Sequence, residues 1–199
     1  MMRIDLHIHT KYSGDAIISP KLIVDRLYAH PFIKGVAITD HDTLQGYHHA
    51  QKLATAYKDV LVIPGIEVSA TQGHITILGV EEKPIYPLTV QEVVDFAKER
   101  AGTIVIPHPY RALGIGDLTR NVQADAIEVL NPRSIRQENK MAEELAKERK
   151  LPGVAGSDAH RPQQMWTAYT EVDNELDVDD VLSAIKSGLV KVKAASARL

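Results

Sequence analysis

His7 and His9 stand two residues apart at the end of a short apolar run. A strand sends residues i and i+2 to the same face, so this pair can close on one ion. Further groups of the same kind follow at Asp15, His41, Glu67, His74, His108, Asp158 and His160. These nine imidazoles and carboxylates, with no thiol among them, suit Zn²⁺, Mn²⁺ or Fe²⁺. At roughly three to five protein ligands per catalytic ion, with one position left to water, they are enough for two or three divalent ions. Clustered ions activate water, and the chain offers no cysteine and no Gly-x-Ser-x-Gly turn as a rival nucleophile. Metal-assisted hydrolysis is the chemistry this set points to.

The elements that must position these groups are legible in the hydrophobic pattern. β-branched runs predict strands over 3–9, 35–39, 60–69, 74–80, 103–107, 126–130 and 151–156, with a late pair over 169–172 and 190–193. Amphipathic runs predict helices over 20–30, 44–57, 90–100, 134–150 and 178–187. Ser19 before Pro20 is a helix-start signal, and Thr43 is placed to cap the second helix. Alternating strands and helices imply an α/β layer structure with a mostly parallel sheet, open or closed into a barrel. Only Ala70-Thr71-Gln72-Gly73 separates the third and fourth strands. A parallel crossover needs a dozen or more residues, so these two must form an antiparallel hairpin.

On that frame the candidate ligands fall at one rim. His7 and His9 end the first strand, His41 follows the second, Glu67 lies near the end of the third, and His108 follows the fifth. Asp158 and His160 follow the seventh, and His74 opens a strand whose reversed direction brings it to the same end. Active sites of parallel barrels and open α/β sheets are built at the carboxyl ends of the strands. Singly, each residue has a plain structural role open to it. His108 stands between two prolines, Asp158 could cap a short helix over 161–166, and Asp15 could serve a turn after Gly14. Their convergence argues for a site. Asp40 reads as a partner that orients His41 or a metal-bound water, and as a rival ligand to Asp15. His30, His48 and His49 lie on or beside helices and read as surface residues.

Composition narrows the class. The chain has 199 residues, 44% of them hydrophobic and 25% charged, which suits a single domain over 1–199. A net charge of −3 gives no basic footprint and argues against tight binding of long nucleic acid. No basic segment followed by an apolar run opens the chain, and no apolar window is long enough to span a membrane. The expectation is a cytoplasmic protein that engages no membrane.

The motifs together are recognisable. Asp5-Leu6-His7-Ile8-His9-Thr10 with Tyr12-Ser13, then Ile38-Thr39-Asp40-His41-Asp42, Gly65-Ile66-Glu67-Val68, His74-Ile75, Pro107-His108-Pro109 and Gly156-Ser157-Asp158-Ala159-His160 follow in order along nearly the whole chain. The sequence resembles the polymerase-and-histidinol-phosphatase (PHP) family of metal-dependent phosphoesterases. That resemblance implies a distorted (β/α)7 barrel with a trinuclear site at the carboxyl ends of its strands. It implies that His7, His9, Glu67 and Asp158 hold a first ion, and that Glu67 bridges to a second completed by His74 and His108. Asp15, His41 and His160 would hold a third. Many relatives read Ser-Asp-Gly in the first motif, whereas here the order is Ser13-Gly14-Asp15.

The implied substrate is a small-molecule phosphate ester, a phosphomonoester or phosphodiester, nucleotides included. Glu67 and Asp158 would serve catalysis through the metals. Arg111 and Arg133 follow strands and are placed to neutralise phosphate oxygens, with Arg136 a weaker third. Two other readings stand beside this one. One is an exonuclease-type phosphodiesterase on short nucleic acid, and the other is a non-catalytic interaction subunit on the same scaffold.

Overall fold

β1 (Met2–Ile8), β2 (Ile33–Ile38), β3 (Leu61–Ala70), β4 (Gly73–Leu78), β5 (Thr103–Ile106), β6 (Ala126–Leu130) and β7 (Gly153–Ala155) stand side by side in chain order. The structure is a computed structural model that describes residues 1–173 and 177–195. β8 (Ala168–Val172) and β9 (Val190–Ala194) extend the sheet beyond β1. Among the described residues five α-helices fill the connections: α1 (Pro20–Ala29), α2 (Gln45–Ala54), α3 (Val90–Glu99), α4 (Arg136–Arg149) and α5 (Val178–Lys186). A 3₁₀ turn (Gly116–Asn121) lies between β5 and β6. Among the described residues no helix is long and apolar enough to cross a membrane.

The helix starts follow their local chemistry. Ser19 accepts the Leu22 amide at 3.2 Å, and α1 then buries Ile23, Val24 and Leu27. Thr89 and Glu92 form a reciprocal capping box on α3. At α2 the sequence expectation is corrected by one residue. Leu44 occupies the cap position without a side-chain bond, and Thr43 bonds the Gln45 amide at 3.3 Å from just outside.

Strand direction agrees with the hairpin argument. β1–β2, β2–β3, β5–β6 and β6–β7 are parallel, while β4 runs antiparallel to both β3 and β5. The sheet curls until β7 meets β1 and β8, making a nearly closed, distorted (β/α)7 barrel. At this seam the Asp158 amide bonds the His7 carbonyl at 2.7 Å, and the His9 amide bonds the Ala159 carbonyl at 3.0 Å. The Thr170 hydroxyl bridges both backbone groups of Ala155 at 2.8 and 2.9 Å. Gly156 is what permits the approach, because a Cβ there would lie 2.4 Å from that of His7.

The core has two layers. Ile4, Leu6, Ala37, Ile63, Leu78, Val105, Ala126 and Val154 fill the barrel, and α5 closes its amino end with Val181, Leu182 and Ile185. Outside, Ile8, Ile38, Ile66, Ile75 and Ile127 pack under α1 to α4. A fully buried aliphatic side chain contributes about 1.5–3 kcal/mol, so these layers dominate stability. β1 changes layers partway along. Leu6 lies inside the barrel and Ile8 outside, although they are two residues apart. The pairing of β1 with β2 is irregular between Asp5 and Ile8, the signature of a bulge. That irregularity turns His7 and His9 inward above Leu6.

Candidate metal centre

Glu67 is buried at the centre of the carboxyl-end rim. Parallel pairing with β3 continues past the end of β2 to hold it: its amide bonds the Asp40 carbonyl at 3.2 Å, and its carbonyl takes the Asp42 amide at 3.1 Å. One carboxylate oxygen lies 3.0 Å from His74 Nδ1 and 3.0 Å from His108 Nε2. The other lies 3.3 Å from His7 Nε2, 3.2 Å from His9 Nε2 and 3.4 Å from His41 Nδ1. One buried carboxylate is thus shared by five imidazoles.

Asp158 occupies the opposite side, 3.3 Å from His9 Nε2, 3.6 Å from His7 Nε2 and 3.4 Å from His160 Nδ1. His160 Nε2 is 2.9 Å from the Asp15 carboxylate, which lies 3.5 Å from His41 Nε2. All nine sequence-selected residues therefore meet, Asp15 included despite its shifted position after Gly14. Four sets have ligand atoms within 4.8 Å of one another: His9, Asp15, His41, His160; His7, His108, Asp158; His7, His9, Glu67; and His41, Glu67, His74. The donor set fits divalent ions on its own terms. His7 Nε2 and His9 Nε2 face each other at 3.1 Å, and two lone pairs at that distance need a shared cation or a proton between them. His41 Nδ1 and His108 Nδ1 are buried with no hydrogen-bond partner.

The electrostatics have the same character. Burial works to raise Glu67, but the charge of His7 and hydrogen bonds from His108, His7 and His74 hold it well below the usual carboxylate range. Asp158 is likewise held low, with burial outweighed by His7 and His9. Burial opposes charge on His9, yet its hydrogen bonds to Asp158 and Glu67 push it up to about 9. His7 is also raised, against burial, by Asp158, Glu128 and Glu67. Burial, with His9 and His74 nearby, pushes His41 down to about 4 despite Glu67. The two central carboxylates stay ionised and draw protons onto His7 and His9, at the place where a metal ion would displace them.

His108 (φ 26°) and Asp158 (φ 50°) both adopt left-handed backbone, which a side chain disfavours. Such conformations persist only where surrounding contacts over-determine them. Here the amide of each supplies a fixed contact, His108 to Glu128 at 2.9 Å and Asp158 to His7.

Arg111 and Arg133 both reach the rim. Arg111 Nη2 lies 2.7 Å from Asp158, and Arg133 Nη1 lies 3.2 Å from Asp158 and 2.8 Å from His160 Nδ1. They line a cavity of about 300 Å³ with Asp15, His41, Glu67, His74, Ala112, Leu113, Asp158 and His160. Arg136 is exposed on the first turn of α4. His48 is exposed, His49 shares a hydrogen bond with the Tyr12 hydroxyl at 3.1 Å, and His30 accepts the Ile33 amide at 2.9 Å.

Asp40 departs from its expected role. Its carboxylate takes the Thr10 amide at 2.5 Å and the Thr10 hydroxyl at 2.7 Å, fixing the turn after His9 rather than orienting His41. The residue that escaped sequence reasoning is Glu128. It is buried in β6 and contacts His7 Nδ1 at 3.0 Å and Asn131 Nδ2 at 2.9 Å, besides the His108 amide. A lone carboxylate inside Ala126-Ile127-Glu128-Val129-Leu130 was the available signal. Asp5 is a second such residue, pushed up to about 6 by burial against amide hydrogen bonds from Ser157, His7 and Trp166.

Comparison with known proteins gives two family matches. Residues 5–119 match the PHP domain, and residues 136–190 match a PHP-associated segment. An uncharacterised protein of Methanocaldococcus jannaschii is 34% identical over 142 residues, covering 65% of this chain and 82% of that one. A 5'-3' exoribonuclease of Haemophilus influenzae is 30% identical over 135 residues, covering 58% of this chain and 47% of its own length. Among solved structures, Endonuclease Q in complex with a 27-mer duplex carrying an abasic lesion aligns with a TM-score of 0.71 at 18% identity, over 94% of this chain and 56% of that one.

Proposed function

Because this chain belongs to the PHP family, we propose that it is a metal-dependent phosphoesterase, cleaving a phosphate ester of a small molecule with activated water. The observation that carries this reading is the single carboxylate of Glu67 flanked by five imidazoles, with Asp158 and two arginines across the same cavity. His7, His9, Glu67 and Asp158 would hold one ion, Glu67 with His74 and His108 a second, and Asp15, His41 and His160 a third. Bound there, Zn²⁺, Mn²⁺ or Fe²⁺ would supply an activated water and polarise the phosphate. Glu67, with imidazoles against both of its oxygens, would offset the repulsion between neighbouring cations. Arg111 and Arg133 bind and orient the phosphate with planar guanidinium forks. We read residues 1–199 as one such domain, because both family-matched segments lend strands to one sheet.

The test is a panel of phosphomonoesters and phosphodiesters assayed with Mn²⁺, with Zn²⁺ and with chelator. Hydrolysis that depends on added metal supports the reading, and a metal-loaded protein inert on every ester defeats it. A second reading, exonucleolytic cleavage of short nucleic acid, is favoured by the Haemophilus influenzae relative. It predicts stepwise release of mononucleotides from one end of an oligonucleotide.

A further inference from the structure

The loop after β5 carries Arg111 into the cavity and places Leu113 at its mouth. Leu113 is 67% exposed, although it lines the same cavity as the ligands. Ala112 and Leu113 are the apolar residues among those that line it, the rest being charged or imidazole. The loop is strapped in place: the Arg111 amide bonds the His108 carbonyl at 3.0 Å, Gly114 bonds back to Arg111 at 2.9 Å, and the His74 amide bonds the Leu113 carbonyl at 2.8 Å.

Two features make this placement costly. Leu113 has φ 68°, a conformation that a branched side chain adopts only under constraint. Its carbonyl also needs Gly73 opposite, where a Cβ would lie 2.8 Å away. A large apolar side chain is thus held on strained backbone, in water, beside an arginine aimed at the metal centre. Two other large apolar side chains near site residues in sequence are exposed, Ile17 at 68% and Ile135 at 65%, but neither lines the cavity nor has left-handed backbone, so Leu113 stands apart.

We propose that Leu113 is a specificity-determining residue whose side chain packs on the leaving group of the ester. Resting on the phosphoesterase reading, this selects esters whose leaving group carries an aromatic ring, an aryl group or a nucleobase, over polyol and sugar phosphates that carry none. Arg111 takes a phosphate oxygen and Leu113 the ring, so one short loop grips both halves of the substrate.

The experiment compares kcat/KM for 1-naphthyl phosphate and glycerol 2-phosphate on Mn²⁺-loaded protein. Wild type is expected to prefer the naphthyl ester, and Leu113→Gly, which also relieves the backbone, to lower the ratio of the two by about tenfold, the usual scale for one lost apolar contact. Leu113→Met restores the ratio. Equal loss on both esters in Leu113→Gly, or no preference in wild type, overturns the inference while leaving the phosphoesterase reading intact. Metal-loaded protein that hydrolyses neither ester nor any other phosphate ester overturns both.

Discussion

His7 presents Nε2 to the candidate metal centre, 3.3 Å from Glu67, and Nδ1 to Glu128, 3.0 Å away inside the barrel. The second oxygen of that carboxylate takes the His108 amide and the Asn131 side chain, each at 2.9 Å. One carboxylate on β6 therefore sets the ring orientation of a residue on β1 and the backbone of a residue after β5. Carboxylate partners of this kind fix the tautomer and raise the basicity of a ligating histidine. Glu128→Gln keeps the shape and loses the charge. We expect metal affinity to fall by about 10–100-fold with far-ultraviolet circular dichroism unchanged, read by titration against a competing chelator. Wild-type affinity would assign Glu128 to packing alone.

Glu67→Gln removes the charge that five imidazoles share. Turnover is expected to fall at least about 100-fold, consistent with loss of metal-activated water. Elemental analysis of the variant should show fewer ions per chain than wild type, which we expect to carry two or three. Near-wild-type turnover in metal-replete buffer would remove the bridging role.

The two arginines differ in setting. Arg111 is the more enclosed, with 18% of its side chain exposed against 37% for Arg133, and it makes the shorter contact with Asp158. Lysine cannot reproduce the planar fork. Either Arg→Lys change is expected to lower kcat/KM by about 1.5–3 kcal/mol in transition-state stabilisation, with metal content and Tm unchanged. Steady-state kinetics on both single variants and the double variant apportion the load. A silent double variant would leave phosphate recognition to the metals.

Chelator-treated protein should have a stability maximum near pH 6.5. His9 is raised to about 9 in the fold from 6.5, so its contribution is complete below 6.5 and is lost as pH rises toward 9. His41 is lowered to about 4, so its contribution is complete above 6.5 and is lost as pH falls toward 4. Metal ions replace the protons on these rings, so loading with Mn²⁺ should raise Tm most at the alkaline end. Calorimetry across pH 4–9 with and without Mn²⁺ checks this, and an unchanged Tm difference across that range would contradict it.

Much of this was legible in the chain because the signals were local. Strand–helix alternation, the short link between Ala70 and Gly73, and imidazoles and carboxylates placed at strand ends led to a mostly parallel sheet, open or closed, with one polar rim, and the resemblance to the PHP family supplied the barrel. The sequence misled where tertiary contacts override local pattern. Nothing in the alternation of β1 announces the irregular pairing after Asp5 that leaves Leu6 inside the barrel and Ile8 outside. Glu128 sits in a run that reads as plain core, and its importance comes from His7, which lies 121 positions away. Asp40 has the right neighbours in sequence and a different one, Thr10, in space.

The seam between β1 and the segment after β7 joins residues near opposite ends of the chain: His7 to Asp158 and His9 to Ala159. A nascent chain on the ribosome therefore displays His7, His9, His41, Glu67, His74 and His108 well before Asp158 and His160 emerge to complete the ring. On the proposed metal-binding reading, the earlier histidines alone would be an incomplete chelator. Tight retention would wait for the last ligands, and the ions kept would be settled by the metals available when the barrel closes, after most of the chain has been synthesised.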